Sequence, residues 1–131
     1  MGLVRVPVIG GAAGLLLLTL TAAAARPAVL TQTRPGIWEI SGIPGASAPR
    51  RLCIGDLGLL AQFEHRTASC TRVVIRDQPT VSEVHYTCSG GGFGQTTIGL
   101  LTPRSLRIET QGISKNAPFH YVLQARRMGD C

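Results

Sequence analysis

The chain has few aromatic residues and a single lysine. One tryptophan, two tyrosines and three phenylalanines are available for packing or stacking, and Lys115 is the only lysine among 13 basic residues. The sequence also lacks a G-x-S-x-G elbow, a lysine-containing phosphate loop and a histidine pair at metal-ligand spacing. These absences argue against the common hydrolases, nucleotide-binding enzymes and zinc enzymes, so we predict a non-catalytic protein with no cofactor and no metal.

A long apolar run occurs only at the N-terminus. Arg5 precedes an apolar stretch from Val8 to Leu20, and four alanines end at Ala25. This order of charge, apolar run and small residues is typical of a cleavable signal peptide, so we assign residues 1–25 to one. An uncleaved anchor is the alternative, but the run is shorter than the roughly 20 residues that a spanning helix needs. We expect no transmembrane segment after cleavage.

Four cysteines follow this leader, at positions 53, 70, 88 and 131. An even number of cysteines in a short exported chain indicates a disulfide framework formed in an oxidising compartment. We therefore predict a periplasmic or secreted protein. A mature chain of this length buries only part of its surface, so cross-links would supplement a modest core.

The positive charge is nearly all arginine. The formal net charge is +6, and Arg50-Arg51 and Arg126-Arg127 are the only adjacent basic pairs. Because little nucleic acid lies outside the cytoplasm, we predict that an exported protein of this kind does not bind it. Scattered arginines are most simply solvated surface charge, and contact with anionic lipid or acidic polysaccharide is the alternative.

The order of predicted elements indicates an all-β domain with one short helix. Residues 26–35, with two prolines, are predicted to form an extended N-terminal arm, and residues 36–131 a single disulfide-bonded domain. Asp56 is suited to cap a helix over Leu57 to His65. Alternating or β-branched segments predict strands at 36–41, 51–54, 71–76, 81–88, 93–101, 106–111 and 119–124. Such a meander favours a curled antiparallel sheet or half-open barrel.

The first hairpin of this meander predicts one cysteine pair. A turn near Gln78-Pro79 places residues opposite each other when their numbers sum to about 158, as Cys70 and Cys88 do. Four cysteines allow three connectivities. The register favours Cys70–Cys88, which leaves Cys53 to pair with Cys131.

Motifs at both ends of the mature chain are similar to those of a known family. Pro35-Gly36-Ile37-Trp38-Glu39 resembles the P-G-L-W-E motif that opens the domain of unknown function 3617, and residues 125–131, A-R-R-M-G-D-C, resemble its close. The cysteine order is also similar, although Ile37 stands where leucine is usual. The resemblance covers essentially the whole mature chain and implies an exported, disulfide-bearing domain with no assigned activity.

Three functional hypotheses follow. The leading one is a binding module whose concave sheet face takes a small apolar ligand or an envelope protein, with Trp38, Phe93, Phe119 and Tyr121 lining the pocket. For Trp38, a core role is the simpler interpretation. The second hypothesis is an envelope-associated structural or interaction protein that contacts anionic lipid or polysaccharide through its arginines.

The third hypothesis, a hydrolase or metal enzyme, requires a polar cluster. Glu83 and His85 share one face of a predicted strand, and His120 joins them only if the last strand lies alongside. Three such side chains within ligand distance would favour a metal site. Without that clustering they are exposed strand residues.

Overall fold

A computed structural model describes residues 2–3 and 26–131. The predicted cleavage site after Ala25 and nearly all of the predicted signal peptide lie outside the described residues. Among the residues described, no helix is long and apolar enough to cross a membrane.

The described chain is mostly antiparallel β-structure, which confirms the all-β, disulfide-stapled fold that the sequence predicts. A one-turn helix, α1, spans Ala28–Thr31, and a 3-10 helix spans Leu57–His65. The strands are β1 (Gly36–Ser41), β2 (Arg50–Ile54), β3 (Cys70–Asp77), β4 (Val81–Cys88), β5 (Phe93–Thr102), β6 (Ser105–Ser114) and β7 (Ala117–Gly129).

All these strands form one sheet in the order β2-β1-β7-β6-β5-β4-β3. Strands β3 to β7 are a simple meander, as the hairpin signals indicate. The first strand then pairs with the last, with Glu39 opposite Arg126 and Ile40 opposite Ala125. The sheet stays open, with β2 and β3 at its two edges.

One face of the sheet, the inner face, is packed against α1 and the 3-10 helix. Strand alternation places apolar side chains on this face, and the largest of them are completely buried. Those contributed by the sheet are Trp38, Ile40, Val84, Ile98, Leu106, Ile108 and Leu123. Leu30, Leu57 and Leu60 meet them from the two helices. The inner face is therefore filled by the protein's own side chains.

The segment over residues 26–35 differs from the extended arm that the sequence predicts. Ala28–Thr31 forms a helical turn whose Val29 and Leu30 are fully buried. The Ala28 backbone N–H donates to Asp77 Oδ1 at 2.6 Å, and the Val29 N–H donates to Ser82 Oγ at 3.4 Å. Burial of two adjacent apolar side chains outweighs the low helix propensity of so short a segment, and this gain depends on a distant part of the chain.

The predicted helix at Leu57–His65 is present, but it is a 3-10 helix. Asp56 is its N-cap as predicted, because the Asp56 Oδ1 accepts from the Gly58 N–H at 2.9 Å. The backbone kinks at Gln62, whose side-chain amide donates to the carbonyl oxygens of His65 and Ala68 at 3.1 Å. These bonds turn the chain sharply into β3.

Both predicted disulfides are present. Cys70 and Cys88 face each other across the β3–β4 ladder and are bonded, as the hairpin register predicts. The second bond joins Cys53 on β2 to Cys131, with a Cα–Cα distance of 5.6 Å. It ties one edge of the sheet to the end of the chain.

Candidate functional site

The other face of the sheet, the outer face, carries an organised set of polar side chains. The ladder register places His85 opposite Gln95, Gln95 opposite Gln111, and Gln111 opposite His120. Paired residues of antiparallel strands project to the same side. One row of four hydrogen-bonding side chains, the polar row, therefore crosses β4, β5, β6 and β7.

A second row runs beside the polar row and is mainly apolar. Phe93 lies opposite Ile113, and Ile113 lies opposite Pro118. Phe93 is 49% exposed, so an aromatic residue of this row is accessible from solvent. We call Phe93, Ile113 and Pro118 the apolar row.

Two carboxylates lie beside the polar row, on the side away from the apolar row, and each is within hydrogen-bond distance of one of the histidines. Glu83 Oε1 is 3.1 Å from His85 Nε2 and accepts from Gln95 Nε2 at 2.6 Å. Glu109 Oε1 is 3.1 Å from His120 Nε2. Each imidazole thus has one nitrogen engaged by a carboxylate, which leaves the other ring nitrogen for a ligand.

These contacts also balance charge on the outer face. Arg107 Nη1 donates to Glu109 Oε2 at 2.9 Å. The hydrogen bond from His120, with Arg107 beside it, lowers the pKa of the Glu109 carboxyl. Since the two carboxylates are occupied by neighbouring donors, this part of the face presents hydrogen-bonding groups without a strong excess of either charge.

The polar and apolar rows border a shallow groove of about 560 Å³, the outer groove. Its side-chain lining comes from both rows, and Gly94 and Gly112 contribute to its floor. A Cβ at Gly94 would lie 2.5 Å from the Tyr86 hydroxyl, and one at Gly112 would collide with the Phe93 carbonyl. Glycine at these paired positions lets the strands and Tyr86 approach closely beneath the groove.

The four predicted ligand-lining residues do not share one pocket. Trp38 is fully buried and donates from Nε1 to the Arg34 carbonyl at 3.2 Å, so it packs the core and presents no surface to a ligand. Phe93 lies on the outer face. Phe119 borders the groove, but its ring packs on the inner side of the sheet, 5.9 Å from the His65 ring and 5.8 Å from the Tyr121 ring. Of the four, Phe93 alone presents its side chain to the outer groove.

The inner face near Tyr121 is a hydrogen-bonded polar cluster instead of a ligand pocket. Tyr121 Oη donates to Glu64 Oε2 at 2.9 Å, and His65 Nδ1 lies 3.0 Å from Tyr86 Oη. Burial raises the pKa of Tyr86 to about 12. Burial, together with the bond to Glu64, also raises the pKa of Tyr121.

A separate cavity of about 410 Å³ lies at the margin of the inner face. Its wall includes Arg72, whose Nη2 is 3.7 Å from Asp56 Oδ2, and the buried side of Ala61. None of the four predicted lining residues borders it.

The residues of the metal hypothesis do not converge. His85 pairs with Glu83 on β4, while His120 on β7 is separated from them by β5 and β6. Across residues 2–3 and 26–131, no group of three or more His, Cys, Asp or Glu side chains is placed to hold a metal ion.

Sequence reasoning missed Gln95, Gln111, Ile113 and Pro118. The sequence does contain information on their positions. The residue-number sum that aligns Cys70 with Cys88 can be worked out for every hairpin of the meander. Carrying it across three successive turns would have aligned His85 with His120. The turn centres must then be known to within one residue, since an error of one moves a side chain to the other face.

Comparisons with protein-family models, with curated proteins and with solved structures found no match to this chain.

Proposed function

We propose that this protein is an exported, non-catalytic binding module that holds an uncharged oligosaccharide in the outer groove. The observation that carries the proposal is the exposed apolar row beside the polar row, in which His85, Gln95 and His120 are oriented by hydrogen bonds to neighbouring carboxylates. A sugar ring has the same two-sided character, with C–H groups on its faces and hydroxyls around its edge.

The apolar row supplies the stacking surface. Phe93 is half exposed, and Ile113 and Pro118 continue its surface across β6 and β7. An exposed aromatic ring stabilises contact with apolar C–H groups through burial and dispersion. This row would lie under one face of the sugar.

The polar row supplies the specificity. Each glutamine amide both donates and accepts, and each histidine keeps one ring nitrogen free, which matches hydroxyls that also donate and accept. At the usual strand spacing, four strands place the ends of the row about 14 Å apart. That length favours a chain of sugars over a single ring.

Charge balance favours an uncharged ligand. Glu83 and Glu109 are bonded to neighbouring histidine, glutamine and arginine side chains. A charged ligand would have to displace one of these contacts, whereas neutral hydroxyls need displace none.

Export and family membership are also part of the proposal. The leader pattern and two disulfides support an oxidising extracytoplasmic compartment, periplasmic or extracellular. The two end motifs support membership of the domain of unknown function 3617 family. Intact-mass measurement of the protein purified from its native envelope tests export, since cleavage after Ala25 fixes the expected mass.

The binding test uses the oxidised protein and a panel of neutral oligosaccharides, with amide chemical shifts as the readout. We expect shifts at Gln95, Gln111 and His120, and an affinity reduced by about tenfold in Phe93→Ala, as for the loss of one stacking contact. Leu101→Ala is the matched control, because Leu101 is 58% exposed on the same strand but does not line the groove. Absence of any shift, or equal weakening in both variants, would contradict the proposal.

A further inference from the structure

Four arginines gather at the end of the sheet opposite the outer groove. Arg34 follows α1, Arg104 lies in the β5–β6 turn, and Arg126 and Arg127 lie near the end of β7. Strand β5 runs from Phe93 at the groove to Thr102 at this end, about 30 Å at the usual rise per residue. The two regions are therefore separate surfaces.

Three of these arginines line one small cleft of about 230 Å³. We call it the arginine cleft; its remaining lining residues are Gln32, Thr33 and Pro103. The lining comes from three segments that are distant in sequence, so tertiary folding alone brings these arginines to one cleft. A second depression, lined by Arg126, shares Arg104 and Arg127 with the cleft.

Thr33 provides a second, independent observation. Thr33 lines the same cleft and is 9% exposed, and its Oγ1 is buried without a hydrogen-bond partner among the described residues. A buried hydroxyl normally has a partner, because leaving one unpaired is unfavourable. A bound acceptor would satisfy it.

The cleft is partly held in place before any ligand binds. Arg127 is 13% exposed, and its Nε and Nη2 donate to the Pro35 carbonyl at 3.0 and 2.9 Å. Arg104 Nη2 donates to the Arg127 carbonyl at 3.4 Å, and the Arg127 N–H donates to the Arg104 carbonyl at 2.8 Å. Pre-ordered donors lose less conformational freedom on binding.

Acidic groups near the cleft are few. Asp130 contacts Arg127 Nη2, but its side chain is 97% exposed. Glu39, opposite Arg126 in the ladder, is bonded to Arg51 at 3.2 Å. Positive charge therefore exceeds negative charge here, which favours an anion.

We infer that the arginine cleft binds a phosphoryl group, held by the guanidinium groups of Arg34, Arg104 and Arg127 and by the Thr33 hydroxyl. Guanidinium groups bind phosphate oxygens through charge-assisted hydrogen bonds, and the threonine hydroxyl adds a neutral donor. Nε and Nη2 of Arg127 are already engaged, so Arg127 contributes its charge and its remaining Nη1 donor. The phosphoryl group belongs either to free inorganic phosphate or to the headgroup of an anionic phospholipid. The inference is independent of sugar binding in the outer groove.

The test has two arms on the oxidised protein: inorganic phosphate followed by amide shifts, and sedimentation with phosphatidylcholine vesicles with and without phosphatidic acid. Arg104→Gln is expected to weaken binding by about tenfold, as for the loss of one charged hydrogen-bonding group. Arg76→Gln, which removes the same charge from an exposed site on β3, is the control and should leave affinity within about twofold.

The Thr33→Val variant distinguishes an effect on phosphoryl binding from an effect on stability. It should weaken binding without lowering the denaturant midpoint, because it removes a hydroxyl that has no partner in the free protein. Shifts with inorganic phosphate at Thr33, Arg34 and Arg104 support a free-phosphate site, and binding only to the phosphatidic acid vesicles supports a headgroup site. Binding to neither probe, or equal weakening by Arg76→Gln and Arg104→Gln, would overturn the inference.

Discussion

At the scale of single residues, the alternation of polar and apolar side chains separates the two faces of the sheet. Val84 and Tyr86 point into the core, while Glu83 and His85 between them face outward. The sequence predicts this division correctly because it depends only on the two-residue period of a strand. The consequence is one filled face and one face free to carry a site.

Two buried threonines on the inner face form a hydrogen-bonded pair. Thr96 and Thr110 are both fully buried, and their hydroxyls lie 2.8 Å apart across β5 and β6. The indole N–H of the single tryptophan donates a hydrogen bond to the Arg34 carbonyl. These bonds offset the cost of removing polar atoms from water.

The two tyrosines give a prediction for alkaline pH. Burial raises the pKa of Tyr86 to about 12 and also raises that of Tyr121, so both stay protonated in the folded protein at a pH where the unfolded chain ionises. The unfolded state then binds fewer protons than the folded state, so stability falls as pH rises. The free energy of unfolding should be fully retained below about pH 10, then fall by about 1.4 kcal/mol per pH unit for each tyrosine.

Denaturant titrations at a series of alkaline pH values measure this slope, and tyrosinate absorbance reports the ionisation directly. Tyr86→Phe should remove the contribution of one tyrosine to the slope. Ionisation of a tyrosine near pH 10 without unfolding would contradict the prediction.

At the scale of elements, α1 is the feature that sequence patterns do not predict. Its four residues are too few for helical periodicity to show, and the prolines on either side of the segment indicate an extended chain. The turn forms because Val29 and Leu30 reach the core and because Asp77 and Ser82 bond its first backbone N–H groups.

We predict that α1 is an integral part of the fold. Leu30→Ala should lower the free energy of unfolding by about 2–5 kcal/mol, as for other fully buried leucines. Gln32→Ala, at an exposed neighbouring position, should change it by no more than about 0.5 kcal/mol. Urea denaturation measures both, and equal effects of the two changes would show that the segment is a loosely attached arm.

The edge strand β3 shows a second element-scale feature. Val73 and Ile75 are 55% and 54% exposed, and the register shifts between Val74 and Arg76. A bulge in an edge strand twists its free backbone groups away from a flat edge, and flanking charges repel a further strand. We therefore expect this arrangement to disfavour pairing of β3 with the edge of a second copy.

At the scale of the whole molecule, closure depends on contacts between the beginning and the end of the domain. Strand β1 pairs with β7, and the Cys53–Cys131 bond adds a covalent link across 78 residues. The Cys70–Cys88 bond spans only 18 residues and reinforces a hairpin that the chain forms locally.

The two disulfides should therefore differ in their contributions to stability. On the chain-entropy account, the longer loop contributes about 4.5 kcal/mol and the shorter about 3 kcal/mol. Cys53→Ser/Cys131→Ser should lower the unfolding midpoint more than Cys70→Ser/Cys88→Ser, as measured by urea denaturation of the two double variants. A larger loss from the second double variant would contradict the chain-entropy ranking.

How far the sequence predicts this protein depends on the distance over which each signal acts. The strands, the Asp56 cap and the Cys70–Cys88 pair follow from neighbouring residues or from one hairpin turn. The 3-10 form of the Leu57–His65 helix does not follow from neighbouring residues. It accompanies the side-chain hydrogen bonds of Gln62 and packing against the sheet. Of the predicted ligand-lining residues, Phe93 presents its side chain to the outer groove, whereas the Phe119 and Tyr121 rings lie together on the inner side and Trp38 is fully buried in the core.

The sequence by itself determined the all-β class, the meander and the Cys70–Cys88 pair, since periodicity, turn chemistry and hairpin register are local properties; the Cys53–Cys131 pair followed by elimination. Only the tertiary structure decided which face of the sheet is free, because that depends on where α1 and the 3-10 helix pack. It also decided the polar row across four strands and the meeting of Arg34, Arg104 and Arg127. Each of these arises when segments far apart in the chain are brought together by burial of a shared core.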